Sequence, residues 1–163
     1  MAAFYPNKEV NQMSFLEGKA ARKVVNGIMV EKSAVAIAAI SSKSLFNVVG
    51  GRVIVKTLLA EVTTVFQAQA NACKFDHTPT GGAAVDLSAA VECNADAVGT
   101  LYGITGLPAT AMSVTIGTAV NSAYDIILKP GVIGFNTAAN STGAIKATVV
   151  YVPLDDGAYI EAA

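Results

Sequence analysis

The segment Ile145-Lys-Ala-Thr-Val-Val-Tyr-Val-Pro-Leu154 decides the fold class. Ile145, Ala147, Val149 and Tyr151 recur at every second position, so an extended chain places them on one face. Lys146 and Thr148 take the other face, which turns apolar at Val150 and Val152. A period of two, carried by β-branched and aromatic residues, reads as a strand. We expect it to begin amphipathic and to become buried on both faces.

Working outward, the same punctuation recurs from Lys23 onward. Strands are expected over 23–30, 34–40, 44–49, 52–66 and 67–75, and then over 84–90, 100–105, 113–116, 124–129, 132–136 and 144–154. Between them stand Asn26-Gly27, Gly50-Gly51, Thr78-Pro-Thr-Gly-Gly82, Lys129-Pro-Gly131 and Asn140-Ser-Thr-Gly143. These residues supply the positive or fixed φ that turns require. Many short strands at even spacing predict an all-β chain, a jelly-roll-like antiparallel β-sandwich, with an immunoglobulin-like sandwich or a small barrel as alternatives. Residues 1–22 lack a period and carry the isolated apolar groups Phe4, Tyr5, Phe15 and Leu16. They read as an N-terminal arm before a single sandwich domain over 23–163.

Two segments invite a second reading. In Gln67-Ala-Gln-Ala-Asn-Ala-Cys73 the alanines alternate with Gln67, Gln69 and Asn71. As a strand this presents an amide face able to hydrogen-bond without charge, so the three amides are candidate inter-subunit contacts. The stretch 86–97 contains helix formers and is a candidate helix, ended by Asn94 and Gly99. His77, just before a Pro/Gly-rich loop, is expected at the surface.

Composition narrows function. Of the 163 residues only 14% are charged, against about 25% in an average soluble domain, and the mean hydropathy is +0.50. No apolar run reaches the roughly 18 residues of a membrane span. The apolar excess therefore points to large subunit interfaces, which are more hydrophobic than ordinary surface. The net charge of −1 comes without a basic stripe, so nucleic acid is not an expected partner. The N-terminus has no secretion-signal pattern, and Cys73 and Cys93 are expected to be free, buried thiols made in a reducing cytoplasm.

Catalytic chemistry finds no footing. A single histidine, no Gly-x-Ser-x-Gly elbow, no zinc spacing and no phosphate loop leave no catalytic, cofactor or metal residue to name. A cupin-type metal site would need several histidines. A carbohydrate-binding or adhesion module remains the alternative to a structural subunit, with Tyr102 or Tyr124 as stacking platforms.

Residues 45–65, then Gln67-Ala-Gln-Ala-Asn71, then Gly99-Thr-Leu-Tyr-Gly103-Ile-Thr-Gly106, and the ending Ser141–Leu154 resemble small virion proteins of tailed bacteriophages, over roughly residues 44–160. The resemblance implies a capsid decoration, or cement, protein. It would be a β-rich homotrimer on the outer capsid surface that bridges major capsid protein subunits, with Phe4, Tyr5, Phe15 and Leu16 of the arm as capsid contacts.

Overall fold

A computed structural model of the chain describes residues 25–37, 40–119 and 121–163. The expected arm, with Phe4, Tyr5, Phe15 and Leu16, lies outside the described residues. Among those described the chain forms β1 (Ile28–Ala36), β2 (Ser42–Val49), β3 (Val53–Thr64), β4 (Ala72–Pro79), β5 (Val85–Asp86) and β6 (Val91–Glu92). Then come β7 (Thr100–Gly103), β8 (Ser113–Ile116), β9 (Ile126–Leu128), β10 (Gly131–Thr137), β11 (Ala144–Pro153) and β12 (Tyr159–Ala162).

The strands form two antiparallel sheets. One runs β1-β11-β3-β7-β8, with β9 sharing the β7 edge of β3; the other runs β12-β2-β10-β4-β5, with β6 sharing the β5 edge of β4. The pairing is nested: β1 with β11, β2 with β10, β3 with β7, β4 with β5 and β6. A long hairpin wrapped around itself would pair its strands in this way.

The sheets face each other over one core. Phe75 and Phe135 of the second sheet meet edge to face, with centroids 5.3 Å apart and planes at 79°. Tyr102 reaches across from the first sheet to within 5.8 Å of the Phe135 ring, and Phe66 lies 6.1 Å from Tyr102. All four side chains are buried, and such ring pairs add to the stabilisation from buried area alone. The fold is a β-sandwich.

The opening segment behaves as its period demands. Ile145, Ala147, Val149 and Tyr151 of β11 are buried, while Lys146 is exposed. Val150 and Val152 are only half-buried, so the strand is not covered on both faces. Flanking strands β1 and β3 shield them within the sheet. In β3 the inward set shifts from Val53 and Val55 to Leu58, Ala60 and Val62. Tyr151 pairs with Val55 and Val150 with Thr57, leaving Lys56 as the extra residue of a β-bulge that reverses the alternation.

Four expectations are corrected. Strands at 23–30 and 34–40 are one strand, β1, irregular between Lys32 and Val35. No strand covers 67–71, because β4 begins at Ala72. No helix forms over 86–97: Leu87 N donates to the Phe75 carbonyl (2.9 Å), Phe75 N to Ser88 Oγ (3.2 Å), and Cys93 N to the Asn71 carbonyl (2.9 Å), so this stretch follows the β4 edge. The strand expected over 84–90 shrinks to β5 (Val85–Asp86), and an unexpected strand, β12, follows β11. A tight return holds it: Asp155 accepts bonds from Arg52 N (2.8 Å), Nε (3.0 Å) and Nη2 (2.7 Å). The Arg52 bonds push the Asp155 carboxyl down to about 2.

Candidate functional site

His77 sits inside the sandwich, contrary to the surface position expected from its neighbouring loop. It occupies β4 on the face shared by Cys73 and Phe75 and is 3% exposed. The strand continues through Pro79, opposite Gly131, so the loop begins later than the Pro/Gly cluster implied. Nδ1 lies 3.1 Å from the Val132 carbonyl. A carbonyl only accepts, so Nδ1 carries the proton, and Nε2 of the neutral ring has no partner. Burial pushes the imidazole below its ordinary value, while the Val132 and Lys129 carbonyls and the Asp76 charge pull upward.

Asp76 does not orient this histidine. Adjacent strand residues face opposite ways, and Asp76 accepts a bond from Ser42 Oγ (2.6 Å) across the outer face of β10. The lowered imidazole value has a consequence for stability. Below the unfolded value of about 6.5 the unfolded chain binds a proton that the folded chain resists, so stability is full above that pH and falls as pH drops through the folded value. We expect urea midpoints to decline from pH 7.5 to 5.5, at no more than the one-proton limit of about 1.4 kcal/mol per pH unit. The decline should be visibly flatter in His77→Gln. Parallel slopes in both proteins would place the titrating group elsewhere.

The two cysteines are free and fully buried. Cys73 pairs with Val91 across the β4–β6 ladder, which sets Cys93 diagonally beside it. A hydrogen bond with Cys93, and then burial, raise the Cys73 thiol above its ordinary range. It therefore stays protonated, unlike a nucleophilic cysteine. Among the described residues no three His, Cys, Asp or Glu side chains gather as a metal site.

The amide triad is split. Asn71 is 1% exposed; its Oδ1 accepts from Ala139 N (2.9 Å) and its N donates to the Glu92 carboxylate, so it serves the protomer's interior and cannot face a partner subunit. Gln67 is exposed and Gln69 half-exposed, in a loop bent by the Gln69 N to Gln67 carbonyl bond (2.9 Å). Tyr102 is buried, with its hydroxyl on Asp96, so it offers no stacking face; Tyr124 is exposed.

A different surface carries the apolar excess. From Ala97 to Tyr124 the chain holds no Asp, Glu, Lys or Arg. Within it β8 forms one edge of the first sheet. Val114 pairs with Tyr102 and Ile116 with Thr100, so both extend the sheet's inner face. Yet Val114 is 39% exposed and Ile116 71%, and the nearby turn adds Val98 at 57%. Gly117 N meets the Gly99 carbonyl (3.4 Å), tying that turn to the end of β8. Among the described residues nothing buries this overhang. Sheet edges in soluble proteins are ordinarily guarded by charge, proline or a covering element, and β8 itself carries no charged residue.

A cavity of about 460 Å³ opens between the sheets on the side where β4 and β5 approach β9. Its walls include Val85, Leu87, Pro108, Ile126 and Leu128, and His77 lines it as well. A hollow of about 420 Å³ over the β1 irregularity is lined instead by charged groups of both signs, Glu31, Lys32 and Lys146.

No family model matches the chain, and neither the curated proteins nor the solved structures compared with it give a match.

Proposed function

We propose that this chain is a structural subunit that works by burying apolar surface against copies of itself. The β8 overhang carries the proposal: a charge-free edge strand whose inward-facing Val114 and Ile116 lack a cover among the described residues. Burying such side chains is worth roughly 25 cal/mol per Å² of apolar area, less the cost of ordering. The expected assembly is a homotrimer. In a closed trimer the contact is heterologous, so the overhang of each subunit meets a different patch on the next.

The nested strand pairing supports a jelly-roll reading of the sandwich, a topology common among capsid and lectin domains. Fold alone does not decide function. From the resemblance read in the sequence over residues 44–160, we infer a capsid decoration protein that sits on the outer capsid surface and bridges major capsid protein subunits. Three linked subunits would hold a lattice far more tightly than one. No enzymatic role is part of this reading.

Light scattering gives the first test. The expected native mass is three times 16.6 kDa, and Val114→Lys with Ile116→Lys should reduce it to one. A monomeric wild type at tens of micromolar, or a double variant that still assembles, would overturn the β8 contact. Cosedimentation of the trimer with capsids, lost in the double variant, is the expected result for decoration. Failure of the intact trimer to bind would leave a self-assembling protein without that role.

A further inference from the structure

We propose that the cavity between β4, β5 and β9 is a binding site for a small, largely apolar molecule bearing one hydroxyl, of the phenol class, whose O–H donates to His77 Nε2. The volume, about 460 Å³, falls within the range of ligand pockets, which are mostly apolar with few polar groups. Val85, Leu87, Pro108, Ile126 and Leu128 supply apolar wall. Val85 pairs with His77 across the β4–β5 ladder and remains half-exposed, marking the open side.

His77 sets the chemistry of the occupant. Three buried side-chain polar atoms lack a partner among the described residues: Thr63 Oγ1, Asn71 Nδ2 and His77 Nε2. Of these residues, His77 is the one that lines a described cavity. Nδ1 lies against the Val132 carbonyl and the Lys129 carbonyl also acts on the ring; with the proton on Nδ1, Nε2 of the neutral ring is an acceptor and no donor. A buried acceptor without a partner is costly, and an occupant that donates relieves it. Nε2 gives an anionic ligand no donor, and a purely apolar one leaves Nε2 unsatisfied. Asp86, at the rim, is paired with Lys74 (2.7 Å), and Lys129 is exposed.

The test compares 4-propylphenol with its methyl ether, which keeps the apolar body and lacks the donor. Calorimetric titration at pH 7.5 should show the phenol binding about tenfold more tightly, the ratio given by one hydrogen bond near the upper end of its usual net worth. Proton-detected nitrogen spectra of the single histidine should show the Nε2 resonance moving on addition of the phenol alone. In His77→Phe the two probes should bind alike. Equal affinities in the wild type, or no saturable binding of either, would overturn the proposal without reference to the variant. So would a phenol preference that survives in His77→Phe. The oligomeric state is read separately, so failure here leaves the structural role intact.

Discussion

Replacing Phe135 with alanine is expected to cost about 3–5 kcal/mol, the usual range for emptying a buried aromatic site. For a chain of this size that lowers the thermal midpoint by roughly 6–20 °C. Phe135 is fully buried in β10, the central strand of its sheet, between β2 and β4. Its ring touches both Phe75 beside it and Tyr102 from the facing sheet. Removing it takes away transfer energy, two ring contacts and the packing that couples the layers. The walls are strands tied by ladders on both sides, so collapse into the void is restricted and the cavity term persists. Ile127→Ala is the control: that side chain is exposed on β9, and its loss should stay within about 0.5 kcal/mol. Both belong in urea titrations at one protein concentration, because self-association also stabilises the folded state. A Phe135→Ala cost below about 1.5 kcal/mol would mean the sheets do not meet through this ring.

The fold was legible where one face of a strand is buried and the other is not. β8 falls on the residues its sequence marks, and β3 and β11 differ only at their ends, because alternation of apolar and polar groups is what a half-covered sheet requires. The β3 bulge was not legible. Lys56 breaks no pattern by itself, and its partner strand lies far along the chain. Gln67–Asn71 shows the reverse error. Alternation of small and amide residues satisfies a strand, but nothing large is present to bury, and hydrogen bonds to neighbouring segments bend it into a loop. β12 has only Ile160 buried among four residues, too little signal for a strand.

The candidate site was legible in its parts and hidden in its arrangement. Cys73, Phe75 and His77 stand at alternate positions, so the buried histidine had a signal: it follows two core residues at strand spacing. Pro79 outweighed it, although proline at a strand end is tolerated. The uncharged run from Ala97 to Tyr124 was visible as composition. That β8 leaves Val114 and Ile116 exposed on the inner face depends on its pairing with β7 and on what packs opposite, which no local pattern states.

Gly106→Ala is expected to cost about 2–5 kcal/mol. Two independent effects add. Gly106 has φ +86°, a conformation that costs an L-residue roughly 1–2 kcal/mol. A Cβ built there would also lie 2.1 Å from the Tyr124 carbonyl oxygen and 2.6 Å from Ser122 Oγ. That oxygen belongs to backbone and cannot swing away, so overpacking adds roughly 1–3 kcal/mol. Gly117 separates the two terms. Its φ is +77°, yet nothing lies within 4 Å of its Cβ position. Gly117→Ala should therefore show the conformational cost alone, and the difference between the variants in urea titration measures the close approach. The location carries the effect further. The Ser122–Tyr124 segment, held by the Ala123 N to Thr105 carbonyl bond (3.1 Å), leads directly into β9, and β9 forms one wall of the cavity. A displaced segment should thus weaken binding of the phenol and its ether together, whereas loss of His77 affects only the preference between them. Equal costs for the two glycine variants would show that the Gly106 approach does not exist in solution, and would leave the β9 wall without its brace.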